Sequence, residues 1–312
     1  MPEKKEEILI TGAGGALAKQ VISRLKKNYS IVAVDFREKV TLGKGITSYK
    51  VDFNKRGFED IFRSHNLTSV IHLGRILETE SNRNNRYNAN VVGTQKLYNL
   101  CIKYNVHKIT MMSTLFVYGA NAYNPALLDE NAPLMASGIS LALIDAVELE
   151  NLTNIYFWKN PELNITVLRP CRIVGHGMRN STSLLLSLKV SPVLFGFSPI
   201  MQFLHIEDMA DAIVLAFEKN IPGIYNVAQA DWIPYQEALV QCGCTRLPVP
   251  SVPPILPLMI SRALKLKAFP SYLIKYFKYP IVIDGSLFEK TFGFKPKRTL
   301  KDIFKYYRDK KA

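Results

Sequence analysis

The chain has 312 residues, of which 48% are hydrophobic and 21% charged, and its formal net charge is +14. This length and composition predict a globular protein with a large core and exclude an intrinsically disordered chain. The four cysteines lack nearby histidines at ligand spacing, so we expect no metal site, and their scarcity suits a reducing, cytoplasmic compartment. The sequence predicts neither a signal peptide nor a membrane-spanning helix.

The positive charge is spread along the chain rather than gathered in one motif. Basic proteins can attract nucleic acids, acidic small molecules or anionic membranes, but no nucleic-acid-binding pattern accompanies these residues. We therefore expect no nucleic-acid partner. The densest basic stretch, from Arg262 to Lys278, is interleaved with apolar residues. A membrane surface stays open for this stretch, although we favour a packed helix with a solvated basic face.

Apolar segments and helical patterns alternate along the first half of the chain. Strands are predicted at 8–10, 31–34, 46–51, 69–73, 109–112 and 165–168, and helices at 16–26, 58–64, 88–104 and 141–157. Such alternation specifies a parallel sheet covered on both faces, and right-handed crossovers make the sheet doubly wound. We therefore predict an α/β fold with a doubly wound parallel sheet.

The pattern loosens after residue 169. A strand, a helix and a second strand are predicted at 203–206, 207–219 and 223–227, and a proline-rich segment follows from 248 to 280. Two further helices are predicted after residue 284. This part is expected to complete the sheet.

The strongest local signal is the segment TGAGGALA at 11–18, between the first strand and the first helix. A glycine-rich turn in this place lets backbone N–H groups approach a pyrophosphate, and the helix N-terminus adds a partial positive charge. We assign phosphate binding to Gly12, Gly14, Gly15, Ala16 and Leu17.

Asp35, at the end of the second predicted strand, is the expected partner of this turn. A carboxylate about twenty residues beyond a glycine-rich turn accepts hydrogen bonds from the ribose hydroxyls and repels a 2′-phosphate, which favours NAD over NADP. Arg37 lies two residues later and can soften that preference. An ordinary solvated strand end is the alternative for Asp35.

Further segments complete an ordered pattern. They are VDF at 51–53, VIHLG at 70–74, NANVVGT at 88–94, STLFVYG at 113–119, LRP at 168–170, FLHIEDMADA at 203–212 and GIYNV at 223–227. With the turn and Asp35, they resemble the extended short-chain dehydrogenase/reductases. These are the NAD-dependent epimerase/dehydratase proteins, of which UDP-glucose 4-epimerase is a familiar member.

The resemblance implies a Rossmann fold in one compact unit. Residues 7–170 would form the NAD-binding part, and residues 171–307 would complete the sheet and form a small substrate lobe. It also implies these further cofactor-binding residues: Phe36, Asp52, Phe53, Leu73, Gly74, Arg75, Asn90, Pro170 and Ile173. Family members often dimerise through two helices, at 90–104 and 141–157 here, so a homodimer stays open.

The family's chemistry needs a hydroxyl that orients the substrate oxygen, and a tyrosine whose proton transfer is assisted by a lysine four residues later. Thr114 stands at the hydroxyl position, although its side chain can instead cap the local backbone. A glutamate four residues after the lysine sets the register. If Glu148 is that glutamate, Ser140 and Ile144 stand at the tyrosine and lysine positions. If Glu150 is, two alanines stand there.

The substrate is also expected to differ from a nucleotide sugar. Met201 stands where the family's epimerases carry a diphosphate-binding arginine, four residues before His205. The surrounding segment is apolar, which suits either an apolar small molecule or ordinary core. Two functions follow. One is an epimerase/dehydratase-like oxidoreductase with a divergent active site, which transfers hydride at a carbonyl or alcohol carbon. The other is a non-catalytic NAD-binding sensor or scaffold.

Overall fold

The computed structural model describes residues 5–37, 40, 43, 45–76, 83–138, 143–250, 259 and 273–311. The chain forms two compact units that alternate along the sequence. The first contains Met1–Thr114, Ile144–Arg169 and Ala210–Tyr225, and the second contains Leu115–Leu143, Pro170–Met209 and Asn226–Ala312. This grouping follows contacts in space, whereas the sequence-based division at residue 170 follows the chain and stays a prediction.

The predicted strands and helices form in the predicted order, and further short elements that the sequence does not predict lie among them, most of them after residue 170. The strands are β1 Glu7–Thr11, β2 Ser30–Asp35, β3 Ile46–Lys50, β4 Leu67–His72, β5 Lys108–Met112, β6 Asn164–Pro170, β7 Arg172–Val174, β8 Val190–Leu194, β9 Ile200–Met201, β10 Phe203–His205, β11 Gly223–Val227, β12 Ile233–Pro234 and β13 Thr245–Val249. The helices are α1 Ala16–Leu25, α2 Arg56–Ser64, α3 Arg83–Tyr87, α4 Gly93–Lys103, α5 Ile144–Lys159, α6 Ser181–Ser187, α7 Ile206–Lys219, α8 Tyr235–Gln241, α9 Leu273–Tyr276, α10 Ser286–Phe292 and α11 Leu300–Asp309.

The central sheet has seven strands in the order β11-β6-β5-β4-β1-β2-β3. The five pairings that run from β3 through β2, β1, β4 and β5 to β6 are parallel. The order reverses beside β1, as it does in doubly wound folds, where ligands bind outside the carboxyl ends of the strands. The predicted α/β fold and parallel sheet are confirmed.

Burial explains why these segments become strands and helices. Ile8, Leu9 and Ile10 are completely buried, as expected for a strand covered on both faces. In α1 the buried side chains recur at helical spacing, from Leu17 through Val21 to Leu25, so one stripe of the helix packs on the sheet. The carboxyl ends of β1, β2 and β4 are thereby fixed beside one another.

One helix departs from its prediction. The helix expected over 88–104 begins earlier, with α3, and contains a π-helical turn at Asn88–Val92 before α4. A π-helical turn holds an extra residue, and such turns are frequent at functional sites. Here Asn90 lies inside the turn. Its side-chain Oδ1 accepts a hydrogen bond from the Ile76 N–H at 2.8 Å, and its Nδ2 donates one to the Ile76 carbonyl at 2.9 Å.

The second unit contains short strand pairs and the C-terminal helices. β7 pairs with β10 and β8 with β13 in parallel, while β9 and β12 are antiparallel. A capping box joins Thr299 and Asp302 at the start of α11, and the Asp208 carboxylate accepts the N–H groups of Lys297 and Arg298. Most of the basic stretch ending at Lys278 lies outside the described residues. Within the described ranges, no helix has the length and apolar character needed to cross a lipid bilayer.

Candidate functional site

The glycine-rich turn brings two backbone segments unusually close together. Gly12 has φ +66°, and a Cβ atom there would lie 2.6 Å from the Gly74 Cα and 2.7 Å from its N atom. Gly15 precedes α1 in an extended conformation, and no described side chain caps the helix. The N–H groups of Ala16 and Leu17 therefore have no partner within the helix, and the first turn holds no acidic residue. This arrangement favours binding of an anion.

The Asp35 carboxylate closes the turn from the neighbouring strand. Its Oδ2 accepts a hydrogen bond from the Gly14 N–H at 2.9 Å, and its Oδ1 accepts one from the Arg37 N–H at 3.0 Å. The Arg37 Nε lies 3.4 Å from the same Oδ1. Asp35 is buried, whereas Phe36 is exposed. The structure therefore places the predicted acidic residue against the turn, and adds a guanidinium beside it.

Asp52 and Phe53, which the resemblance places beside an adenine, follow β3. The Asp52 Oδ1 accepts the Asn54 N–H at 2.9 Å, so this exposed carboxylate shapes its own turn. The Phe53 ring lies 4.6 Å from the Phe58 ring and 5.8 Å from the His72 ring, measured between centroids. The adenine role of the pair stays a prediction.

A buried hydrogen-bonded chain that the sequence analysis missed runs through His72. Thr94 donates to the Asn90 carbonyl at 2.6 Å, so it accepts from the His72 Nε2 at 3.0 Å. The His72 Nδ1 is then the acceptor, and the Thr11 hydroxyl donates to it at 2.7 Å. Burial lowers the pKa of His72 to about 4, which keeps the ring neutral. His72 thus fixes the ends of β1 and β4 to the π-helical turn.

A second buried cluster surrounds Asp145, in the first turn of α5. The Asn90 Nδ2 donates to the Asp145 Oδ2 at 2.6 Å, and the Arg86 Nε lies 3.4 Å from that oxygen. The Arg75 Nη2 lies 3.9 Å from the other carboxylate oxygen. Arg86 and Asp145 are both buried. Two guanidinium groups therefore share one carboxylate, and one of them belongs to Arg75, which directly follows Gly74 in the chain. Of this cluster the sequence predicts only Arg75 and Asn90 as site residues.

Glu150 forms a third buried cluster, at the ends of β5 and β6. The Arg169 Nε donates to the Glu150 Oε2 at 2.9 Å and to its Oε1 at 3.1 Å, and the Ser113 hydroxyl also donates to this carboxylate. Glu150 is buried, whereas Glu148 is half-buried and raises the pKa of Tyr87 through a hydrogen bond. Glu150 is therefore the glutamate of the pair that is fixed to the sheet.

The candidate catalytic positions lie close to this cluster along the chain. Thr114 directly follows Ser113 and is half-buried. Ile144 is the first residue of α5 and is also half-buried, whereas Ser140 lies outside the described residues. If Glu150 sets the register, the lysine position is Ala146, which is buried. An aliphatic side chain occupies the lysine position in either register.

The remaining predicted residues belong to the second unit. Pro170 ends β6 and Ile173 lies within β7, and both are buried. The Tyr118 hydroxyl donates to the Asn226 Oδ1 at 2.7 Å, so this phenol has a fixed partner. In the apolar segment, Met201 is completely buried, whereas Phe195 is 73% exposed. The apolar ligand stays a prediction.

Comparison with known proteins identifies the family. The family model described as the NAD dependent epimerase/dehydratase family matches residues 8–228. The chain belongs to this family. An uncharacterised protein of Mycobacterium tuberculosis is 22% identical over 98% of this chain and 84% of its own length. The UDP-glucose 4-epimerase of Dictyostelium discoideum is 30% identical, over 54% of this chain and 53% of its own length.

Solved structures of epimerase/dehydratase proteins share the fold. The dTDP-glucose 4,6-dehydratase of Bacillus anthracis in complex with NAD superimposes with a TM-score of 0.77 at 18% identity, covering 97% of each chain. The UDP-glucose 4-epimerase of Thermus thermophilus in complex with NAD gives a TM-score of 0.75 at 17% identity, covering 97% of this chain and 99% of that one. The resemblance read from the sequence motifs is thus confirmed for family and fold.

Proposed function

We propose that this protein binds NAD at the glycine-rich turn of the first unit. The observation that carries the proposal is the uncapped N-terminus of α1, which follows a turn held within van der Waals contact of Gly74. The N–H groups of Ala16 and Leu17 would hold the pyrophosphate, and Asp35 would hold a ribose. The NAD complexes of the Bacillus anthracis and Thermus thermophilus relatives support this assignment.

Arg37 modifies the choice between the two dinucleotides. A lone carboxylate would repel the 2′-phosphate of NADP, but the Arg37 guanidinium lies beside Asp35 and offsets part of that repulsion. We expect NAD to bind more tightly than NADP, with a smaller difference than Asp35 alone would give. Removing Arg37 should therefore increase the preference for NAD.

For the reaction, we propose hydride transfer at a carbonyl or alcohol carbon, with Thr114 orienting the substrate oxygen. Bound NAD supplies the hydride acceptor and donor. Two described titratable groups are already engaged, because Glu150 accepts from Arg169 and Ser113 while neutral His72 is bonded on both ring nitrogens. If neither can act as the acid or base and no other group does so, the rate should be about 10²–10⁴ lower than with one.

A second candidate is a sensor or scaffold that binds NAD without turnover. The observation that favours it is the segment 136–150, which contains neither tyrosine nor lysine. The two candidates share the cofactor site and differ only in whether the nicotinamide is reduced. A single set of measurements on the full chain separates them.

The test combines binding and turnover. Isothermal titration with NAD and NADP is compared for wild type, Asp35→Ala and the control Asp60→Ala, an exposed aspartate in α2. Loss of the buried carboxylate should weaken NAD binding about ten-fold or more, since charged hydrogen bonds contribute about 1.5–3 kcal/mol. Nicotinamide reduction is then followed optically, and product formation by chromatography, with UDP-glucose, dTDP-glucose and a panel of alcohols, for wild type and Thr114→Ala.

Each outcome decides between the candidates. Tight NAD binding, with slow reduction that Thr114→Ala abolishes, supports the oxidoreductase. Tight binding with neither nicotinamide reduction nor conversion of any compound supports the sensor or scaffold. Absence of NAD binding in wild type overturns both.

A further inference from the structure

Arg172, the first residue of β7, is a buried cation that has no anionic partner in the described part of the chain. It is only 4% exposed, and its Nη1 has no hydrogen-bond partner among the described residues. No described carboxylate lies within ion-pair distance of it. The group that faces the guanidinium is the Phe116 ring, whose centroid lies 5.9 Å from the Arg172 Cζ. Arg172 thus differs from Arg169, three residues earlier, which has the Glu150 carboxylate as a partner.

An unpaired buried charge is unfavourable, because burial removes its hydration without providing a replacement. Burial lowers the pKa of the Arg172 guanidinium to about 10, while the nearby Cys171 and Tyr276 act in the opposite direction. The group therefore stays charged at neutral pH and lacks a counterion from the described chain. Buried charges in proteins are ordinarily paired, so this arrangement points to an anion supplied from outside.

Gln229 provides a second unpartnered donor nearby. Its Nε2 has no hydrogen-bond partner within the ranges that the structure describes, and the residue is 7% exposed. Two contacts hold it near Arg172: the Gln229 backbone lies against the thiol of Cys171, and the Cys171 N–H donates to the Val227 carbonyl at 2.9 Å. The Gln229 carbonyl is itself fixed by the Gln202 Nε2 at 3.2 Å.

We propose that Arg172 and Gln229 bind an oxyanion, the carboxylate or phosphate group of the substrate. Both unpartnered atoms are N–H donors, and a guanidinium can offer two parallel donors to such a group. Arg172 and Gln229 follow the carboxyl ends of the neighbouring strands β6 and β11, where ligands of doubly wound sheets bind. The inference rests on the proposed function in so far as it names the substrate of that reaction as anionic.

The test is the thermal stability of the full chain in two anions. Inorganic phosphate and gluconate are compared with sodium chloride at equal ionic strength, since the protein carries a net charge of +14. With a dissociation constant of about 1 mM, about 20 mM anion should raise the Tm of wild type by about 3 °C. The control Arg246→Met, which removes an exposed arginine of the second unit, should respond as wild type does.

Arg172→Met should behave differently in two respects. Without anion it should unfold at the wild-type temperature or above, because an unpaired buried charge is replaced by an apolar side chain. In phosphate or gluconate it should lose the stabilisation. Gln229→Leu should keep a weaker response, with about three- to ten-fold lower affinity from the loss of one hydrogen bond.

The outcomes identify the chemical group of the anion, and they test the oxyanion site separately from the proposed NAD site. A response to phosphate alone assigns a phosphate group, a response to gluconate alone assigns a carboxylate, and a response to both assigns their shared oxyanion chemistry. An equal response of Arg172→Met and wild type, or none in wild type, overturns the inference. NAD titrations of wild type and Arg246→Met in the same buffers test the proposed function separately.

Discussion

Replacing Gly12 by alanine tests the close approach on which the nucleotide site depends. Gly293 offers a matched control, because its φ of +67° lies within one degree of the +66° of Gly12, while a Cβ at Gly293 would meet no atom within 4 Å. Both alanines suffer the same unfavourable backbone conformation. Only Gly12→Ala adds a steric conflict, so the difference between the two variants isolates the contact with Gly74.

The magnitudes follow from the distances. A left-handed backbone costs an alanine about 1–2 kcal/mol, and this term applies to both variants. At Gly12 the new Cβ would lie 2.6 Å from the Gly74 Cα. Carbon atoms ordinarily pack about 3.5–4.0 Å apart, so the segments must separate by about 1 Å. Such overpacking costs about 1–3 kcal/mol, which gives Gly12→Ala a total loss of about 2–5 kcal/mol.

Urea unfolding followed by circular dichroism measures these free energies, and titration with NAD measures the site. We expect Gly293→Ala to bind NAD like wild type, and Gly12→Ala to bind at least about ten-fold more weakly, a change of about 1.4 kcal/mol. Equal loss of stability in the two variants, together with wild-type NAD affinity in Gly12→Ala, would refute the reasoning.

Two further predictions concern buried polar groups. Arg169→Met should lower the free energy of unfolding in urea by about 3–5 kcal/mol, because it leaves the buried Glu150 carboxylate without its ion-pair partner. The control Arg298→Met, at the exposed pair with Glu207, should lower it by less than about 1 kcal/mol. Comparable losses in the two variants would contradict this prediction. Burial lowers the pKa of His72 to about 4, so the neutral ring contributes fully to the free energy of unfolding above pH 6.5, and this contribution is lost as the pH falls towards 4. Between pH 7.5 and 5.0 the free energy of unfolding of the wild type should therefore fall by about 2 kcal/mol more than that of His72→Asn. Parallel pH profiles of the two proteins would exclude the buried ring as the cause.

Much of the fold is predictable from local pattern. Runs such as Ile8, Leu9 and Ile10 bury both faces of a strand, and glycines mark the turn that follows. The acidic residue at the end of β2 is also predictable, since a fixed chain distance separates it from the turn. These features depend on residues that are near one another in sequence.

The three buried clusters depend on residues far apart in the chain. Nothing in the spacing indicates that Arg75 would meet Asp145, or that His72 would lie between two threonines. The choice between Glu148 and Glu150 shows the same limit: both lie on one helix, and only the position of Arg169 on β6 separates them. The π-helical turn is equally invisible, because its sequence retains apolar residues at helical spacing.

The alternation of the two units along the chain has a consequence for synthesis on the ribosome. The first unit is not complete until Ala210–Tyr225 has been made, and strand β11, which covers β6, is among its last parts. About fifty residues separate the end of β6 from the start of β11, which corresponds to roughly 3–10 s of translation. During that interval β6 is an open edge of the growing sheet, able to pair with a strand of another nascent chain. Truncation before Gly223 would make that exposure permanent.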